Sequence, residues 1–149
     1  MTIVIGAIIS IIVGPMLLQG FNAYFKSAVV TDIDGQAKLA MERMVREIRG
    51  IANPASDITT MTASQLTFTL NGDSISYTLS GSQLRRNSNP LASNVSSLTF
   101  SYYRNDWTTT TTDRTLVWRI QVQFTLSYTG GAGTTTRAFQ SSVFLRNAS

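Results

Sequence analysis

The sequence predicts an α+β protein: a long N-terminal helix, apolar in its first half and amphipathic in its second, packed on a mostly antiparallel β-sheet. Three observations lead there. The first twenty-five residues carry no charge and stop at Lys26. Apolar residues then recur at spacings of three and four up to Ile51. From Asp57 the apolar period becomes two. Helix pattern followed by strand pattern, segregated along the chain, is the α+β signature. The expected units are 1–25, a helix for a membrane or a filament core; 26–52, its amphipathic continuation; and 53–149, a β-sheet domain.

The apolar run does not read as a cleavable signal peptide, because no basic residue precedes it. Its first eighteen residues would span about 27 Å as a helix, close to the hydrocarbon thickness of a bilayer. Gly14-Pro15 lies inside the run, where proline removes a backbone donor and bends or interrupts a helix. Ile3, Ile5, Ile8, Ile9, Ile12, Val13, Gly14, Pro15, Leu17 and Leu18 are therefore the expected packing surface, against lipid or against other helices.

A polar passage, Lys26-Ser27 and then Thr31-Asp-Ile-Asp-Gly35, leads into "QAKLAMERMVREIRGI". Ala37, Met41, Met44, Ile48 and Ile51 form one apolar stripe, with Met41, Met44, Ile48 and Ile51 the expected helix–sheet core. Lys38–Glu42, Glu42–Arg46 and Arg43–Glu47 are opposite charges four apart, suited either to pairing within the helix or to salt bridges with a neighbouring subunit. Gly50 offers a C-terminal cap, a bend is expected near Gly35, and Asn53-Pro54 stops the helix. Asp32-Ile-Asp34-Gly35 begins like a calcium loop, but later ligand positions hold "QAKLAMERM", so no metal is expected there.

Beyond Asp57 the strands follow in order. "QLTFTL" and "SISYTL" flank Asn71-Gly72, a strong hairpin signal. Ser80-Gly81 turns toward "QLRR", and Asn89-Pro90 reads as a loop. Leu98, Phe100 and Tyr102 alternate in "VSSLTFSYY". Leu116, Trp118, Ile120, Val122, Phe124, Leu126 and Tyr128 alternate over the next long strand. After "TGGAG", Phe139, Ser141, Val143 and Leu145 line one face of the last. The insert 104–115, "RNDWTTTTTDRT", is long for a hairpin connection and reads as functional or mobile. Its threonine run is a polar loop or an exposed adhesive or glycosylated tip. Asn94-Val-Ser and Asn147-Ala-Ser match a glycosylation triplet that is too common to carry an argument.

Composition narrows the function. The 149 residues are 43% hydrophobic and only 13% charged, with no cysteine and no histidine. Disulfides, thiolate metal sites and most nucleophile–base arrangements are excluded. No enzyme activity and no cofactor are expected. The net charge of +4, carried mostly by arginine, leaves Arg85, Arg86, Arg104, Trp107 and Arg114, with Tyr102, Tyr103 and Arg137, as a candidate basic-aromatic surface for DNA or another ligand. Scattered solubilising charge is the competing reading.

At this point the residues resemble a family. An apolar segment with Gly-Pro partway along, an amphipathic continuation and a β-sheet domain is the plan of type IV pilins and of the pseudopilins of type II secretion. The chain looks closest to the J-type minor pseudopilins and the O-type minor pilins of mannose-sensitive haemagglutinin pili. "LLQGFNAYF", "LAMERMVREIR" and the closing "SSVFLRN" carry the likeness, with "LTFSYYRNDW" and "SISYTLSG" in support. It covers nearly the whole chain. The resemblance implies a structural subunit, more in keeping with a minor one than with the major shaft pilin, of a pilus or pseudopilus. It implies a single-pass inner-membrane precursor with a periplasmic domain, a pilus or periplasmic pseudopilus after assembly, and as partners other pilins, a prepilin peptidase and an assembly platform. DNA is a lesser candidate partner.

One departure matters. The family's basic leader, its cleavage glycine and the following Phe-Thr-Leu-hydrophobic-Glu segment are not found, and the first acid is Asp32. Two placements compete. Setting Pro15 and "RMVREIR" on the family's matching landmarks puts the Glu before Met1. Setting Thr2 and Gly14 on family positions puts Ile5 where the Glu belongs. The first accounts for two separated landmarks, the second for two small residues.

Overall fold

The computed structural model describes Met16 and residues 18–20, 31–130 and 133–145. It corrects the expected fold class. Strands make up 51% of the described residues and helix 26%, so among those residues the protein is mostly antiparallel β-sheet, and the helix packed on it is the 31–49 segment rather than a long N-terminal one. The physical reason lies in where the core comes from. Most buried apolar side chains belong to strands, and those strands form two sheets rather than one. Helical backbone is seen at Met16 and 18–20, over 31–49 (α1), in one turn at Pro54–Asp57 (α2), and in a 3-10 turn at Arg114–Leu116.

α1 is helical without interruption through Gly35. It ends by tightening: Gly50 N and Ile51 N donate to the Glu47 and Ile48 carbonyls, three residues back. Gly50 is required for space rather than for a left-handed cap. A Cβ there would stand 2.6 Å from Leu70 Cδ1 and 3.2 Å from the Glu47 carbonyl oxygen. Asn53 then starts α2, its side chain accepting from Ala55 N, with Pro54 at the first helical position, where a missing N–H costs nothing.

The first sheet is a five-stranded meander, β1 (Ile58–Met61), β2 (Gln65–Leu70), β3 (Asp73–Ser80), β4 (Gln83–Arg86) and β5 (Asn89–Ala92), in spatial order 1-2-3-4-5. Asn71 and Gly72 both have positive φ, +53° and +90°, the requirement of a two-residue hairpin turn whose twist matches its strands. Asn89-Pro90, expected as a loop, instead opens β5; an edge strand tolerates a residue that cannot donate. The second sheet is β6 (Val95–Tyr103), β7 (Arg119–Gly130) and β8 (Gly133–Phe144), with β7 central. The long alternating strand starts later than its sequence pattern. Asp113 caps the 3-10 turn, which takes up Leu116, and Trp118 is 40% exposed, so regular inward alternation begins at Ile120.

One continuous core joins the sheets and α1. Leu66, Phe68, Ile75, Tyr77 and Leu84 from the first sheet meet Leu98, Phe100, Tyr102, Ile120, Val122 and Phe124 from the second. Ala37, Ala40, Met41, Met44 and Ile48 of α1, with Ile51, complete it. β6 stitches the sheets together: Phe100 N donates to Ala63 O, Val95 N to Ser82 O, and the Tyr102 hydroxyl to Thr62 O at 2.8 Å.

Candidate functional site

The packing surface expected from Ile3, Ile5, Ile8, Ile9, Ile12, Val13, Gly14, Pro15 and Leu17 lies outside the described residues. Leu18 and Met16 are described and are 66% and 68% exposed. Among the described residues, no helix is long and apolar enough to cross a membrane.

α1 is docked by its buried stripe and by one polar centre. Met41, Met44, Ile48 and Ile51 are all buried. Beside them, the Glu47 carboxylate accepts from the Tyr77 hydroxyl at 2.6 Å, from Arg86 Nε at 2.8 and 3.1 Å, and from Arg43 Nε at 3.1 Å. Burial pushes the Glu47 carboxyl up, but the hydrogen bonds from Arg86, Tyr77 and Arg43 outweigh it and hold the group below its ordinary 4.5. Burial and the bond to Glu47 push the Tyr77 hydroxyl well above its usual range. At the other end of α1, Asp34 pairs with Arg137 of β8 at 3.3 Å. One helix is thus pinned to both sheets, by a partly buried ion pair at one end and a more exposed one at the other.

Of the three charge pairs expected along α1, only Arg43–Glu47 forms among the described residues. Glu47 belongs to the inner side of the helix rather than to a solvated face. Nothing in the linear pattern marks it, because its partner Arg86 is thirty-nine residues away on another element. Asp32 accepts from Gln36, and no group of three or more His, Cys, Asp or Glu forms among the described residues.

The candidate basic-aromatic surface is dispersed. Arg85 pairs with Thr78 and Arg86 with Tyr77 across β3–β4, so adjacent arginines point to opposite faces of the sheet. Arg86 is spent on Glu47, and Arg114 donates to the Ile58 carbonyl at 2.8 Å. Arg104 and Trp107 share the insert. That loop closes on itself: Arg104 N donates to Thr109 O, Trp107 N to Arg104 O, and Asp106 Oδ1 accepts from Thr108 N and Thr109 N. The Thr109 hydroxyl first, and then these amide bonds, hold the Asp106 carboxyl below its ordinary value. Trp107 has φ +72° and is 57% exposed, and its ring lies 4.7 Å from that of Phe144.

Beneath this pair, the Arg119 guanidinium sits 4.0 Å over the Tyr103 ring and donates to the Trp107 carbonyl at 2.8 Å. Phe144 and Arg119 were not singled out by sequence reasoning. Alternation along β8 would have placed Phe144 on the outer face, but only the tertiary fold brings Trp107 to it.

No protein-family model and no curated protein matches the chain.

Proposed function

We propose that the protein is a structural subunit of a type IV pilus or of a type II secretion pseudopilus, of the minor kind. The observation that carries the reading is a juxtaposition: an uncharged apolar run of twenty-five residues stands immediately before a helical segment that is fastened to the β core. The free side of α1, with Leu39, Lys38, Glu42 and Arg46 exposed, is available to neighbours.

In this reading the apolar run sits in the inner membrane before assembly, with the β part on the periplasmic side. It is then transferred to the helical core of a filament made with other pilins. Lipid and packed helices are similarly apolar, so packing rather than a hydrophobic gradient selects the final register. The test is mass spectrometry of filaments sheared from the native cells, quantifying this chain against the other subunits. A trace but reproducible presence supports a minor subunit. Dominance would make it the shaft pilin, and absence from both filaments and pseudopilus fractions would refute the proposal.

A further inference from the structure

The outer face of the β6–β7–β8 sheet is almost free of charge. Register places Tyr103, Arg119 and Phe144 in one row across the three strands, then Ser101, Gln121 and Ser142, then Thr99, Gln123 and Gln140. The strands alternate, so each of these points away from the core that holds Tyr102, Ile120 and Val143. Beyond the first row the face is Ser, Thr and Gln with one Ala. None of the side chains of Gln121, Gln123, Gln140 and Ser142 hydrogen-bonds another described residue. The outer face of the first sheet behaves otherwise. There Gln65, Thr67 and Ser76 bond one another, and Arg85 bonds Gln83. The first face is satisfied in part, with Arg85 Nε left unpartnered; on the second, Thr129 and Thr134 bond each other at the far end, and the glutamine rows are left open.

At one end of the open face stands a built aromatic ledge. Trp107 is held in the left-handed region, where a bulky side chain is an outlier. Its amide is tied to Arg104 O, its carbonyl to Arg119, and its ring to Phe144. Strain of this kind persists only where the surroundings enforce it, and it clusters at ligand sites. Here it turns a half-exposed indole beside a half-exposed Phe144 at the edge of an uncharged hydroxyl-and-amide lattice.

We propose that this face binds a neutral glycan, with Trp107 and Phe144 stacking on a sugar ring and Gln121, Gln123, Gln140 and Ser142 bonding its hydroxyls. The chemistry selects the occupant. A pyranose offers C–H faces that suit the electron-rich face of an aromatic ring, and hydroxyls that both donate and accept. A carboxamide offers both functions in return. Neighbouring strands lie about 4.8 Å apart, comparable to one residue of an extended glycan, so the rows can follow a chain of sugars. Nucleic acid does not suit the face. The one cation in these strand rows, Arg119, is held at the Tyr103 ring and the Trp107 carbonyl with its Nε buried, and phosphate binding needs several free cations. The proposal is independent of the filament reading.

The test uses the full chain, purified in an amine-oxide detergent so that no glycoside competes. It is applied to an array of neutral glycans (β-glucans, mannans, galactans, xylans and chitin oligomers), with heparin and single-stranded DNA as anionic probes. The expected result is binding to at least one neutral glycan that persists from about 0.05 to 0.5 M salt. Trp107→Ala should weaken it at least about tenfold, and so should Gln123→Ala combined with Gln140→Ala. The glutamine variant touches only exposed positions and should leave near-ultraviolet circular dichroism unchanged, so it decides the matter if Trp107→Ala fails to fold. No binding to any neutral glycan would overturn the proposal. So would binding confined to heparin or DNA that fades with salt, or binding indifferent to the variants that fold.

Discussion

Replacing Glu47 by alanine should unfasten α1 from the first sheet at a cost that can be worked from its three partners. Tyr77 is 0% exposed, so its hydroxyl loses its bond without gaining water, about 1–3 kcal/mol. Arg86, with a side chain 21% exposed, recovers part of its hydration and adds about 1 kcal/mol. Arg43 is 49% exposed and contributes at most about 0.5 kcal/mol. Alanine returns a few tenths through helix propensity. The expected loss is about 3 kcal/mol, against about 0.5 kcal/mol or less for Arg43→Ala.

The assay is urea denaturation in detergent followed by near-ultraviolet circular dichroism, on Glu47→Ala, Tyr77→Phe and the double variant. Tyr77→Phe alone should cost about 1 kcal/mol. In the Glu47→Ala background it should cost nothing or stabilise, because it removes the orphaned hydroxyl. Equal, small losses for Glu47→Ala and Arg43→Ala would refute the reasoning, as would a Tyr77→Phe cost that survives the loss of Glu47. The pH dependence has a definite sign. Glu47 titrates below its ordinary 4.5 in the folded protein. Its contribution is therefore complete above 4.5 and is lost as pH falls through the folded value. Glu47→Gln should flatten that acid limb.

Other outcomes follow from the same geometry. Asp57 accepts from Asn53 N, Ala52 N and the Ser56 hydroxyl, and those bonds, Asn53 first, hold its carboxyl below the ordinary 3.8. Asp57→Ala should cost about 1 kcal/mol after allowing for its solvent contact, and stability should fall as pH drops through the folded value, read as an acid-shifted melt missing in the variant. Tyr102→Phe removes the hydroxyl bond that ties β6 to Thr62 O and should cost about 1 kcal/mol in urea denaturation. Met44→Ala empties a fully buried site where α1 meets the sheets and should cost about 2–5 kcal/mol by the same measurement. Gly50→Ala forces the Leu70 side chain to give way; the expected loss is about 1 kcal/mol, recovered when Leu70→Ala is added.

Local signals were legible where a residue acts through its own backbone or its immediate neighbours. Asn71-Gly72 adopts positive φ because those two residues can, and Asn53-Pro54 ends one helix and caps the next turn. Strand alternation in "QLTFTL" and "SISYTL" survives folding because each strand has one face on a core. The pattern failed where the chain's ends of regular structure are set by competition. Trp118 continues the alternation on paper, yet the capped 3-10 turn before it leaves the ring at the surface. Asn89-Pro90 has loop composition, yet an edge position lets it pair.

The sequence by itself determined the apolar, uncharged start, the amphipathic stripe of α1, the hairpin turns and the exclusion of histidine and thiol chemistry. These follow from residue type and short spacing alone. Tertiary structure decided that the strands divide into two sheets, that Glu47 faces inward to Tyr77 and Arg86, that Arg85 and Arg86 part company, and that Trp107 lies on Phe144 above Arg119. Each of those joins residues far apart in the chain. Their energies depend on burial and on partner distance, which exist only once the sheets have closed on a common core.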